Sequence, residues 1–125
     1  MKYMIMMFGD PATMMQARSP EWIRNMMRFM HDLDGELRET GEYVDGLGLA
    51  DPSQAKTVRF EKGIPVATDG PFAEAKESLG GYWIVDVSEE RAIEIASRVV
   101  AFLEGGAIEV RQGMDMDAPP VEFTS

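Results

Sequence analysis

Thr68 to Asp86 reads "TDGPFAEAKESLGGYWIVD". The segment holds a turn, a short charged run, a glycine pair and then a strongly apolar strand. Asp69-Gly70-Pro71 is turn chemistry: the aspartate accepts local backbone N–H groups, the glycine permits positive φ, and the proline fixes the next φ. Phe72 is then expected to seat the loop on the core. Tyr82 to Val87 follows as a strand of core quality. The same loop admits a functional reading, in which Asp69 points into a cleft with Glu74 or Glu77 near it. Burial would then raise one carboxylate into the range of a usable acid or base.

Outward from this segment the elements fall into a regular order. Tyr3 to Phe8 is a continuous apolar run ended by Gly9-Asp10-Pro11, as in a central strand covered on both faces. Ser19-Pro20-Glu21 starts a helix: a capping hydroxyl, a proline at the first turn and an acid facing the positive dipole end. That helix is expected over 20–40, with Ile23, Met26, Met27, Met30, Leu33 and Leu37 on one face and Gly41 as its stop. Tyr43 to Leu49 reads as a glycine-weakened strand. Lys56 to Phe60 and Ile64 to Ala67 form a hairpin about Glu61-Lys62-Gly63, with Pro65 marking an edge. Ser88 caps a second helix reaching about Glu104, with Ala92, Ala96, Val99 and Leu103 inward. Ala107 to Arg111 is the last strand.

The resulting order is β-α-β-(β-hairpin)-β-α-β. It is the pattern of an α+β, ferredoxin-like split βαβ sandwich with an added hairpin. Helices cover one face of such a sheet. The other carries apolar residues as well, so two copies joined through their open faces, a homodimer, are expected. A single domain over 1–112 and a tail over 113–125 account for the 125 residues.

Composition removes several classes of function. There is no cysteine, which excludes disulfides, thiolate metal sites and cysteine nucleophiles. Lys plus Arg number 12 against 22 Asp plus Glu, a net charge of −10. That balance opposes nucleic acid, whose binding draws on Lys and Arg. A lone histidine makes a zinc centre improbable, and no phosphate loop or serine elbow is present. No cofactor is expected. No stretch approaches the roughly 20 apolar residues of a membrane span, and a soluble, cytoplasmic protein is expected.

The first helix holds a second candidate cluster. Asp34 falls inside the apolar arc, where a carboxylate needs a partner or a cavity. Arg38 stands one turn on and is a possible partner. His31, three residues before Asp34, is either a surface histidine or one half of a His–Asp pair between helix and sheet. The candidate catalytic set is thus Asp69, His31 and Glu77. The candidate ligand pocket is Asp34, Phe72, Met27 and Met6, with several of the eleven methionines lining an adaptable cavity.

"DGPFAEAKESLGGYWIVDV" closely resembles the signature of the DGPF-type, YCII-related proteins. "MKYMIMMFGD" and "GEYVDGLGLADPSQAKTVRF" are similar to the first and middle strands of that family, so the likeness runs from Met1 to about Arg111. The resemblance implies a ferredoxin-like fold that forms a dimeric α+β barrel. Most members have no assigned activity, and some occur beside sigma-factor-linked operons. A relative in the wider superfamily is a dehydrochlorinase acting on a chlorinated hydroxyquinol, and that group uses a His–Asp pair in a cleft between helix and sheet. By this resemblance Asp69 occupies the aspartate position. Where the histidine would lie, this chain has Ser19-Pro20-Glu21-Trp22. Two functions follow as expectations: an enzyme with lyase-like or hydrolytic acid/base chemistry near Asp69, or a non-catalytic ligand-binding or regulatory dimer.

Overall fold

A computed structural model describes residues 1–9, 16–71, 78–104 and 106–115. Phe72 and Glu77 lie outside these residues, as does the charged run between them. The elements are β1 (Lys2–Phe8), α1 (Pro20–Thr40), β2 (Tyr43–Gly48), a short 3₁₀ turn (Pro52–Gln54), β3 (Lys56–Glu61), β4 (Ile64–Asp69), β5 (Leu79–Asp86), α2 (Glu89–Leu103) and β6 (Ile108–Gln112). They make a mixed α+β fold of antiparallel sheets and two helices.

Four strands form one sheet in the order β2-β5-β1-β6. β1, the apolar opening run, is central and pairs antiparallel with β5 on one side and β6 on the other. Strands β3 and β4 form a separate two-stranded sheet. Their turn uses Lys62 (φ 51°) and Gly63 (φ 83°), the two successive positive-φ residues that suit a two-residue hairpin loop.

Both helices start as their capping residues dictate. The Ser19 hydroxyl accepts the Trp22 N–H at 3.1 Å, and the Ser88 hydroxyl accepts that of Arg91 at 3.2 Å. Gly41 closes α1 in a left-handed conformation, donating its N–H toward Arg38 and Leu37 carbonyls.

The core lies between the helices and one face of the sheet. Ile5, Val85, Leu33, Leu37, Ile95 and Val99 are fully buried there. The apolar face of α1 is turned slightly from the expected stripe. Phe29 packs against the core, whereas Met27 is 61 % exposed. The cause is the stack of Phe29 on Phe102 of α2, with ring centroids 4.6 Å apart and planes 10° off parallel. That contact holds the Phe29 side of the helix inward.

At the opposite end of α1 an ion network joins α1, the connection to β2, and α2. Arg91 donates to both carboxylate oxygens of Glu42, at 2.8 and 3.1 Å, while Arg98 grips Glu36 at 3.1 and 2.8 Å. The Arg91 hydrogen bond, then that of Thr40, holds the Glu42 carboxyl below its ordinary range. A carboxylate lowered on folding stabilises the fold above its unfolded pKa, and this contribution disappears as pH falls through the lower folded value. Wild-type protein should therefore exceed Glu42→Gln in stability at pH about 6, above the unfolded carboxylate value of about 4.3. Urea titrations at successive lower pH values should show this gap narrowing. A gap independent of pH would contradict the assignment.

Candidate functional site

Glycines open a cavity between α1 and the sheet. At the end where β1 and β2 finish and β5 and β6 begin, a cavity of about 470 Å³ lies under the first half of α1. Met26, Met30 and Asp34 line it from the helix, Met7, Trp83 and Ile108 from the sheet, and Leu103 from the end of α2. Gly46, Gly48 and Gly80 complete the sheet wall. At Gly46 an added Cβ would stand 3.1 Å from both the Trp83 ring and the Tyr43 hydroxyl oxygen. The absence of a side chain there lets the Trp83 ring approach β2 closely. A Cβ at Gly48 would meet nothing within 4 Å, because it would enter open space.

Asp34 is the polar centre of this cavity. Its Oδ1 accepts the Trp83 indole N–H at 2.6 Å, a short charge-assisted bond joining α1 to β5. Its Oδ2 has no hydrogen-bond partner among the described residues. Since no buried side-chain N or O is left without a partner, this oxygen is accessible. Asp34 is the only acidic residue lining the cavity among the described residues, and no histidine lines it. Arg38, the partner the helix spacing offers, instead lies over the Tyr43 ring with its guanidinium carbon 4.0 Å from the centroid.

Arg18 stands at the mouth. Its guanidinium lies over Trp22, 4.5 Å from the ring centroid, and donates one N–H to the Leu103 carbonyl at 3.3 Å. Tyr82 lines the neighbouring β5 side and donates its hydroxyl toward Asp45 at 3.4 Å. Desolvation, and then the Asp45 carboxylate, keep that phenol protonated above its ordinary range.

The remaining candidates lie elsewhere. Asp69 is the last residue of β4, ion-paired with Lys56 across the hairpin, and its side chain is 86 % exposed. The turn after it is held by other groups: Gly70 (φ 99°) donates its N–H to Ala55 at 2.8 Å, and the Thr57 hydroxyl donates to the Gly70 carbonyl at 2.7 Å. Asp69 does not line the cavity, nor does His31, which is exposed on α1. Met6 is buried on β1 at a position alternating with the cavity-lining Met7. Of the five proposed residues that are described, the structure thus brings Asp34 to the cavity, and Trp83, Arg18 and the glycines join it there.

No group of three or more His, Asp or Glu among the described residues is arranged to hold a metal ion. No described helix is long and apolar enough to cross a membrane.

Comparison with known proteins agrees with the motif-based reading. An uncharacterized protein of Rhizobium meliloti (strain 1021) is 30 % identical over 97 residues, covering 77 % of each chain. Argininosuccinate synthase of Moorella thermoacetica is 31 % identical over 118 residues, taking in 80 % of this chain but 29 % of the synthase. The likeness is therefore to a part of that longer protein. The family model of the YCII-related domain matches residues 1–117, and with nearly the whole chain so matched, this protein belongs to the YCII-related family.

Proposed function

We propose that this domain binds a small, largely apolar organic molecule in the cavity under α1, with Asp34 as the group that fixes it. The observation that carries this reading is the Asp34 carboxylate. One oxygen is locked by Trp83 and the other is accessible, in a cavity otherwise walled mainly by methionine, leucine, isoleucine and tryptophan side chains. A concave apolar site with one oriented polar group is the usual form of a small-ligand pocket. The accessible oxygen would accept a hydroxyl or amine proton from the ligand. An acid/base enzyme using a His–Asp pair is less well supported, since no histidine lines the cavity among the described residues.

Asp34→Asn tests the role directly. The asparagine oxygen can still accept the Trp83 N–H, so the fold should persist while the charge is lost. Affinity for ligands found by a melting screen of small hydroxylated and amine-bearing molecules should drop about tenfold, the worth of a hydrogen bond to a charged group. Unchanged affinity in the variant would remove Asp34 from the site.

We further infer that the fold is a ferredoxin-like half of a dimeric α+β barrel. Met4 and Ile84, both partly exposed, alternate with the core-facing residues of β1 and β5, so they lie on the face away from the helices. The hairpin adds Val58 and the 74 % exposed Phe60 on one side. Apolar surface of this extent favours a second copy. Sedimentation at micromolar concentration should give twice the 13.9 kDa chain mass. A monomer mass would contradict the barrel.

A further inference from the structure

The chemistry at the cavity mouth narrows the class of ligand, an inference that rests on the cavity being the binding site. Arg18 is held there more firmly than a surface arginine needs to be. Phe29, Phe102 and Trp22 form a ladder of rings, with centroid separations of 4.6 and 5.9 Å, and the Arg18 guanidinium continues it 4.5 Å above Trp22. This stack holds the guanidinium over the Trp22 ring. The bond to the Leu103 carbonyl, at 3.3 Å, anchors one edge.

A guanidinium carries five N–H donors, and one is used here. Among the described residues no carboxylate pairs with Arg18. The local role, capping the carbonyl end of α2, accounts for one donor, and the rest of the fork has no partner among the described residues. Arg18 and Asp34 line the same cavity. They are set apart along it, because Asp34 lies well along α1 and Arg18 precedes its first turn.

We propose that Arg18 forms an anion subsite at the mouth, so that the ligand is a small organic acid. Its carboxylate docks on the remaining edge of the guanidinium, its apolar body fills the methionine-lined space, and a hydroxyl or amine at its far end donates to Asp34. The planar fork suits a carboxylate in two parallel N–H···O bonds. A molecule with both groups at the right separation would satisfy both ends, whereas a neutral analogue would satisfy only Asp34.

The test uses a homologous series, from para-hydroxyphenylacetic to para-hydroxyphenylhexanoic acid, beside the primary alcohols of the same chain lengths. Titration calorimetry on the full chain should find a length at which the acid binds about tenfold more tightly than its alcohol. Arg18→Gln should bring that ratio close to one by weakening the acid far more than the alcohol, and Arg18→Lys should retain part of it. Acids and alcohols binding equally at every length, or a ratio that survives in Arg18→Gln, would overturn the anion subsite and leave the cavity reading standing. Failure of both series to bind would overturn the cavity reading and the subsite with it.

Discussion

Trp83→Ala is expected to destabilise the protein by about 3–5 kcal/mol, as large aromatic truncations in a core do. Trp83 is almost fully buried and serves three purposes at once. Its ring belongs to the core cluster, it lies across Gly46, and its N–H holds Asp34 at 2.6 Å. Removing it leaves a void and frees a half-buried carboxylate from its partner. Trp83→Phe separates these effects, since it retains much of the ring and loses the hydrogen bond. Its cost should be smaller, about 1–3 kcal/mol for the unsatisfied polar group. Urea unfolding of the three proteins gives the order wild type, Phe, Ala. A loss below about 1 kcal/mol for Trp83→Ala would mean the site is not built on this residue.

Gly48→Phe should have the opposite profile, with little effect on folding and a large effect on binding. Gly48 lines the cavity, has no positive φ, and a Cβ there meets nothing within 4 Å. Phenylalanine suits an edge strand better than glycine does, so the melting temperature should hold or rise. The new ring would occupy ligand space. Overpacking of an occupied site costs about 1–3 kcal/mol, which corresponds to a loss of affinity of about 5- to 150-fold. Tight binding retained in Gly48→Phe would place the ligand elsewhere.

Local rules explain how much of the fold is legible in the chain. Ser19 before Pro20 and Ser88 before two glutamates start both helices where the structure has them. The apolar run of β1 is central because it is apolar throughout, and Lys62-Gly63 turns the hairpin with Gly63 taking positive φ at no steric cost. Strand ends depend on cross-strand pairing, which local rules do not carry. β4 continues through Asp69, since the cross-strand pairing of Lys56 with Asp69 extends the hairpin two residues past Ala67.

The site was only partly legible. Helical spacing places Asp34 in the apolar arc of α1, which is why it required a partner or a cavity. The partner is Trp83, 49 residues away, and no periodicity connects the two. The one available signal was glycine without turn chemistry. Gly46 and Gly48 face Trp83 and Gly81 across β2 and β5, and strand glycines mark close approach or missing side-chain volume. Phe29 faces the core where Met27 is expected to, because the Phe29–Phe102 stack depends on a second helix.

The central claim is that the Asp34–Trp83 cavity holds the ligand. It is tested most directly by the indole N–H resonance of Trp83 in ¹⁵N-labelled protein during titration with small hydroxylated organic acids. Binding ligands should shift that resonance together with the amides of Gly46, Gly48 and Ile108, and should lose the effect in Gly48→Phe. Ligands that bind without moving the Trp83 indole, shifting instead the hairpin around Asp69, would contradict it.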